Sequence, residues 1–551
     1  MTPLKRFLNL LRLDKKDVYQ IIFYAAFSGL ISLSLPLGIQ AIINFIQSGQ
    51  VSVSWIILVI VVTLGVAFVG VLSLMQLRIT ENLQQKIFVR SSFEFAYRLP
   101  KIKFSALYNR YPPELANRFF DTISIQKGTS KLLIDFSSAL LQIGFGVILL
   151  SLYHPFFIIF GVLLVFLLYY IFKYSYTPGL STSMNESKYK YKAAFWLQEI
   201  ARNHTSFRKL LSFDYALKKN DTLVSDYICY REKHFAIIKR QFIQLIAFKV
   251  IITAGLLSIG GYLVLSQKMN IGQFVAAEII ILLVINSVEK IILGLETLYD
   301  VLTSIEKIGE VTDMALEQAS ASDIGKFDQV TLEADNVSYR FPDSDKDVLE
   351  NITLKIHQGE KIFVSGRNGS GKTTLVRVLA GLLQPAGGGL YINDGSYSKI
   401  NMDLYRAQTG VVMQGETPFE GTILENITMN NPEITADDVK WALEAVGLAS
   451  HIKRLPDGLD TYLHPDGMQL SASNSQKILL ARSIVNRPNI LFLEDPTDKM
   501  DETTASEIIN FLFSKDNSWT VIVSSVNLYW KGKCSRHIVM DKGKITEDTL
   551  L

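Results

Sequence analysis

The residues best placed to do chemistry run from Ser365 to Thr374, in the order Ser-Gly-Arg-Asn-Gly-Ser-Gly-Lys-Thr-Thr. Gly366, Gly371, Lys372 and Thr373 have the spacing of a phosphate-binding loop, the run Lys361-Ile-Phe-Val364 before it reads as a strand, and Leu375-Val-Arg-Val-Leu-Ala380 after it reads as a helix. Gly366, Gly369 and Gly371 let the backbone turn tightly enough for the loop N–H groups to point inward around a polyphosphate, those of Arg367, Asn368, Ser370 and Thr374 among them. Lys372 places a positive charge on the β- and γ-phosphates, Thr373 offers its hydroxyl to Mg2+, and the helix N-terminus adds a positive dipole. A chance match occurs in on the order of one per cent of chains this long, and the flanking strand and helix make it rarer.

The rest of the chain must position that loop. Hydrophobic residues make up 49% and aromatics 11%, a high share for a chain with a charged phosphate-binding half, so membrane spans are expected outside that half. The charges nearly balance, 55 basic against 52 acidic, which argues against a nucleic-acid partner. Cys229 and Cys534 are the only cysteines and stand in unrelated contexts, so neither a disulfide framework nor a cysteine metal site is expected.

Six apolar stretches reach spanning length, near residues 18–46, 54–77, 132–153, 155–173, 241–266 and 272–296. The short connections carry only Lys268, whereas the long ones carry Arg90, Lys101, Arg118, Lys188, Arg202 and Lys218, among others. The excess of positive charge places the long loops and both termini in the cytoplasm, in a multi-pass protein surrounded by lipid of the cell's inner membrane. Residues 1–17 mix Phe7, Leu8 and Leu11 with Lys5, Arg6 and Arg12, which reads as an elbow helix on the membrane surface or an unstructured leader, and not as a cleavable signal. Ser183–Leu211 lacks Pro and Gly and predicts helical extensions of the spans. Charges within the spans call for partners: Lys249 with Glu289, and Glu278 toward a translocation path, with snorkelling to the headgroups as the alternative. A polar run at 317–323 marks a linker at 311–328, between a helical membrane domain at 1–310 and an α/β phosphate-loop domain at 329–551.

Beyond the phosphate loop, further motifs stand in a specific order. Val412-Met-Gln414 precedes Phe419-Glu-Gly-Thr-Ile-Leu-Glu-Asn-Ile427; Leu470-Ser471-Ala472-Ser473-Asn474 precedes Ile478-Leu-Leu-Ala-Arg482; and Ile490-Leu-Phe-Leu493 runs into Glu494-Asp495. In this the chain resembles, over nearly its whole length, the ATP-binding cassette (ABC) exporters of half-transporter form, with six membrane helices fused to one P-loop nucleoside triphosphatase domain. The resemblance implies that Gln414 reaches toward Mg2+ and couples nucleotide state to the membrane helices; read alone, it is a polar residue at a strand end. Phe341, or Tyr339 in its place, takes the adenine-stacking position, although either reads equally well as a core aromatic. Glu494 is assigned to the Mg2+ water shell, Asp495 to the attacking water as base or positioner, and Ser471 to the γ-phosphate of a facing subunit.

The chain departs from the family pattern at several of these positions. The signature Leu-Ser-Gly-Gly-Gln has lost both glycines, the acidic pair stands as Glu-Asp instead of Asp-Glu, Val526 replaces the switch histidine, and Pro465 replaces a glutamate before the signature. Asp495 is one methylene short, so the water-orienting carboxylate retreats by roughly 1 Å, a displacement that costs about a hundredfold in rate. The expected protein is therefore an ATP-dependent exporter half with slow hydrolysis. It works as a homodimer or as a heterodimer with a related half-transporter, and its substrate is a peptide or protein passed to a periplasmic adaptor. The alternatives are an ATP-binding regulatory subunit with little turnover and an ATP-gated channel.

Overall fold

The computed structural model describes residues 2–47, 53–317, 329–397, 399–514 and 517–551, so most of the expected linker lies outside the described residues. The chain divides into two units, Met1–Lys101 with Arg110–Met314, and Ile102–Asn109 with Ala315–Leu551.

In the first unit, six helices among the described residues are long and apolar enough to cross a membrane: Lys15–Gln47, Val53–Lys101, Pro112–Tyr153, Phe156–Arg202, Ser212–Leu265 and Ile271–Thr312. All six predicted apolar stretches fall on them, and the extra length is the expected helical extension. Two breaks interrupt the pattern. The first helix divides at Leu33, into Lys15–Ser32 and Ser34–Gln47, where Pro36 has no N–H to bond back into the preceding turn. The fourth stops at Asn203, whose side-chain amide donates to the Glu199 carbonyl at 3.1 Å, so Ser183–Leu211 is not one helix and a new long helix begins at Leu210. The N-terminal stretch is a helix, Pro3–Leu13, with Phe7 buried and Arg6 paired to Glu306 at 3.3 Å and to Asp313.

Ile271–Thr312 is the centre of this unit: half of its apolar window is buried, against 11% for Val53–Lys101. Tyr299 on that helix is fully buried, and its hydroxyl donates to the Ser175 carbonyl and accepts from Gln241 Nε2, both at 3.1 Å. The ring lies against Gly179, one residue past the in-helix Pro178, where a Cβ would come within 2.5 Å of it. The expected ion pair also forms, with Lys249 Nζ donating to Glu289 Oε2 at 2.5 Å. Glu278 is half-buried.

The second unit holds two main sheets. One is antiparallel, in the order Leu349–Ile356, Leu332–Tyr339, Gly387–Ile392, Gly395–Ser396. The other runs Lys544–Leu550, Arg536–Asp541, Lys361–Gly366, Thr520–Ser524, Ile490–Glu494, Thr409–Val412, with every neighbouring pair parallel except the first. Ile490–Glu494 and Thr520–Ser524 are buried at every position, as expected of central strands covered on both faces. The carboxyl ends of five adjacent parallel strands therefore open on the same edge, the usual place for a ligand in an open α/β sheet.

Reversing one charge of the pair leaves two like charges facing each other within the spanning segments, where even a single unpaired charge at the span centre costs roughly 2.5–3.5 kcal/mol. Lys249→Glu is expected to lower the melting midpoint of detergent-purified protein, and the exchange Lys249→Glu with Glu289→Lys to recover most of it. A double variant no more stable than the single one would show that the pair contributes nothing. For Gly179→Ala, overpacking against Tyr299 predicts a loss of about 1–3 kcal/mol, read in the same melting experiment.

Candidate functional site

The phosphate loop begins at the end of Lys361–Gly366 and runs into the helix Lys372–Leu379. Gly366 has φ +150°, and a Cβ there would lie 2.2 Å from the Met540 carbonyl oxygen on the neighbouring strand. At Gly371, φ +101°, a Cβ would approach the Val348 carbonyl oxygen to 3.0 Å. The loop is thus clamped by backbone from two other segments, the strand Arg536–Asp541 and the residue before Leu349–Ile356, and glycine is what fits. Gly543 N–H donates to the Ser370 carbonyl at 3.0 Å and fastens the turn from below.

Lys372 Nζ donates to the carbonyls of Gly366 at 2.9 Å and Arg367 at 3.0 Å, folding the ammonium over the loop. Arg367, Asn368 and Gly369 are exposed at the rim, while Ser370 and Thr374 are buried. Ser370 Oγ is enclosed with no hydrogen-bond partner among the described residues, a polar atom left for something the loop holds.

Glu494, only 4% exposed, ends the strand beside the loop. Its Oε1 accepts from the Thr373 hydroxyl, its Oε2 accepts from the Gln414 N–H at 3.3 Å, and Arg377 stands 3.8 Å away. Thr373, Glu494 and the backbone of Gln414 thus converge at one point. A hydroxyl and a carboxylate are hard oxygen donors, and Mg2+ typically takes one or two of these together with waters and substrate phosphates, so the donor set fits that ion. The Gln414 side chain itself is exposed at this edge.

Asp495 adopts φ +43°, unusual for a residue with a Cβ. Its N–H donates to the Ser524 carbonyl at 2.8 Å, and its Oδ1 accepts from the Val526 N–H at 3.0 Å. The Val526 side chain is 81% exposed, so this position contributes a backbone donor and an apolar surface. Ser471 caps the helix Ala472–Ile484, its Oγ accepting from the Asn474 N–H at 3.2 Å. Gln476 on the same helix, absent from the sequence reading, is 7% exposed. Its amide donates to the Asp495 carbonyl at 2.8 Å and to Asp498 Oδ1 at 2.6 Å, and its carbonyl accepts from the Lys499 N–H at 3.2 Å. It stands in the polar run Ser473-Asn-Ser-Gln-Lys477 at the start of this helix, and nothing local sets it apart from its neighbours.

Phe341 is half-buried against the core of the antiparallel sheet, with the Tyr339 ring at right angles 5.2 Å away. Tyr108 stacks on it with centroids 4.8 Å apart and planes within 20°. Burial pushes the Tyr339 phenol above its ordinary value, and the neighbouring Tyr108 hydroxyl pushes it further in the same direction.

Two family descriptions match the chain: ABC transporter transmembrane region over residues 18–288, and ABC transporter over residues 349–498. The alpha-hemolysin translocation ATP-binding protein HlyB of Escherichia coli O157:H7 is 30% identical over 330 residues, 60% of this chain and 46% of that protein. The leukotoxin export ATP-binding protein LtxB of Aggregatibacter actinomycetemcomitans is 30% identical over 312 residues, 57% of this chain and 44% of that protein. The chain spans less than half the length of these curated relatives. The solved structure of a bacterial Atm1-family ABC exporter with ATP bound superposes with a TM-score of 0.81 over 97% of this chain and 95% of that one, at 19% identity, a likeness of fold. Matched first in its membrane helices and then in the domain that carries the phosphate loop, the chain belongs to the ABC transporters.

Proposed function

We propose that the chain is one half of an ATP-driven exporter in the cell's inner membrane, with the domain division 1–310, 311–328 and 329–551 and the nucleotide-binding part in the cytoplasm. The observation that carries this reading is the convergence of Lys372, Thr373 and Glu494 on one strand edge, in a chain with six helices of spanning length among its described residues. ATP is the substrate of the site. Gly366 to Thr374 bind its phosphates, Lys372 moves its ammonium from the loop carbonyls to phosphate oxygen, and Phe341 takes the adenine ring. Thr373 and Glu494 would hold Mg2+, with Gln414 beside them, and the ion would neutralise phosphate charge. Asp495 orients the attacking water.

Ser471 of a facing subunit completes the site, so the active form is a homodimer or a heterodimer with a related half-transporter. The relatives' names describe toxin translocation and export, which supports a peptide or protein substrate here, and a periplasmic adaptor as partner. A second reading, an ATP-binding regulatory or gating subunit with little turnover, is favoured by one observation: the Asp495 carboxylate is engaged by the Val526 N–H.

ATP-dependent uptake of peptide into inside-out vesicles separates the two readings: uptake supports the exporter, and ATP binding without uptake supports the regulatory subunit. Lys372→Ala removes a charge-assisted contact and is expected to weaken ATP binding roughly ten- to a hundredfold, measured by titration calorimetry. Asp495→Asn should leave that affinity in place and abolish the phosphate release that remains in wild type. Fast phosphate release by the chain alone, unchanged in Asp495→Asn, would overturn the assignment of Asp495.

A further inference from the structure

Residues 102–109 lie in sequence between the second and third spanning helices, yet they belong to the nucleotide-binding unit. Ile102, 4% exposed, bridges to Leu316, and the Lys103 N–H donates to the Ala315 carbonyl at 2.9 Å. At the other end the Asn109 amide donates to Asp343. Between these anchors the short helix Phe104–Leu107 presents Tyr108 to Phe341.

Phe341 is half-buried against the sheet core beside Tyr339, and Tyr108 lies stacked on its ring, so a base that stacks on that face must displace Tyr108. A centroid separation of 4.8 Å leaves no room for a base between the two rings. Tyr108 itself is 41% exposed, so its ring reaches solvent and an incoming base can replace the contact that it gives up.

We infer that Tyr108 is an internal competitor for the adenine platform: it covers Phe341 until ATP binds, and the base displaces it. The inference rests on the reading of Phe341 as the adenine-stacking residue. The aromatic contact lowers ATP affinity by the worth of one ring pair, and base binding releases the packing of a segment that connects two spanning helices. Base–aromatic stacking exceeds an ordinary aromatic pair, so the exchange runs forward when ATP is present.

The test is ATP affinity of the full chain in detergent, set against affinity for inorganic tripolyphosphate, which has the phosphates and no base. Tyr108→Ala is expected to tighten ATP roughly two- to tenfold and to leave tripolyphosphate unchanged. Asn109→Ala, which loosens the same segment from Asp343, should act in the same direction, and Tyr108→Phe should behave as wild type. A ratio of the two affinities that is unchanged in Tyr108→Ala, or that shifts against ATP, overturns the competition. If wild type binds ATP no better than tripolyphosphate and Phe341→Ala changes nothing, then the adenine assignment fails as well, a result distinguishable from failure at Tyr108 alone.

Discussion

A carboxylate buried to 4% exposure is costly unless it is hydrogen-bonded, and Glu494 is held by partners from three directions. The Thr373 hydroxyl comes from the first turn after the phosphate loop, the Gln414 N–H from the connection after Thr409–Val412, and Arg377 from the helix that begins at Lys372. One side chain therefore fixes the spacing between the phosphate loop and two strand ends. The sheet order supplies the rest, since the strands that end at Gly366, Ser524, Glu494 and Val412 are consecutive neighbours. No connection has to reach far to bring its first residues to the site.

Asp495 shows the same logic one residue later, with a different outcome. Its positive φ turns the chain sharply after a buried strand, and the turn persists because the environment holds it from every side: Ser524 takes the N–H, Val526 donates to the carboxylate, and Gln476 donates to the carbonyl. The short carboxylate is thereby drawn toward the backbone of residue 526. The position that carries a histidine in the family supplies a main-chain contact here, and its apolar side chain faces outward.

Much of this was legible in the sequence, because the signals are local. The phosphate loop announces itself by spacing within ten residues, and spans announce themselves by uninterrupted apolar length. The pairing of Lys249 with Glu289 followed from the cost of charge in a membrane. What stayed hidden depends on contacts between distant segments. The break at Asn203 was missed because the stretch was read for Pro and Gly, while asparagine also ends helices; its backbone N–H and side-chain amide both donate to the Glu199 carbonyl. Gln476 stands in a run of polar residues, and its meaning lies in Asp495 and Asp498, well separated along the chain. Tyr108 could not be assigned from a loop read as basic and helical, because nothing in residues 102–109 records that Phe341 is their neighbour.

Binding and turnover are anchored differently in this fold. The phosphate loop is fastened to the cores of both sheets: Gly366 against the Met540 carbonyl, Gly371 against Val348, and Ser370 through Gly543. A side chain at Gly366 or Gly371 would have to push neighbouring backbone aside. Among the altered positions, the acidic pair Glu494-Asp495 is held as tightly as the loop, whereas the signature and switch positions are not. Val526 and Ala472 point outward, and Ser471 spends its hydroxyl on a helix cap. Substitution at these exposed positions leaves the loop geometry untouched, so the fold tolerates change at the signature and switch positions far better than change in the groups proposed to hold phosphate. That asymmetry gives a physical reason why a chain can keep an intact phosphate loop beside a signature without glycines and a switch position without histidine.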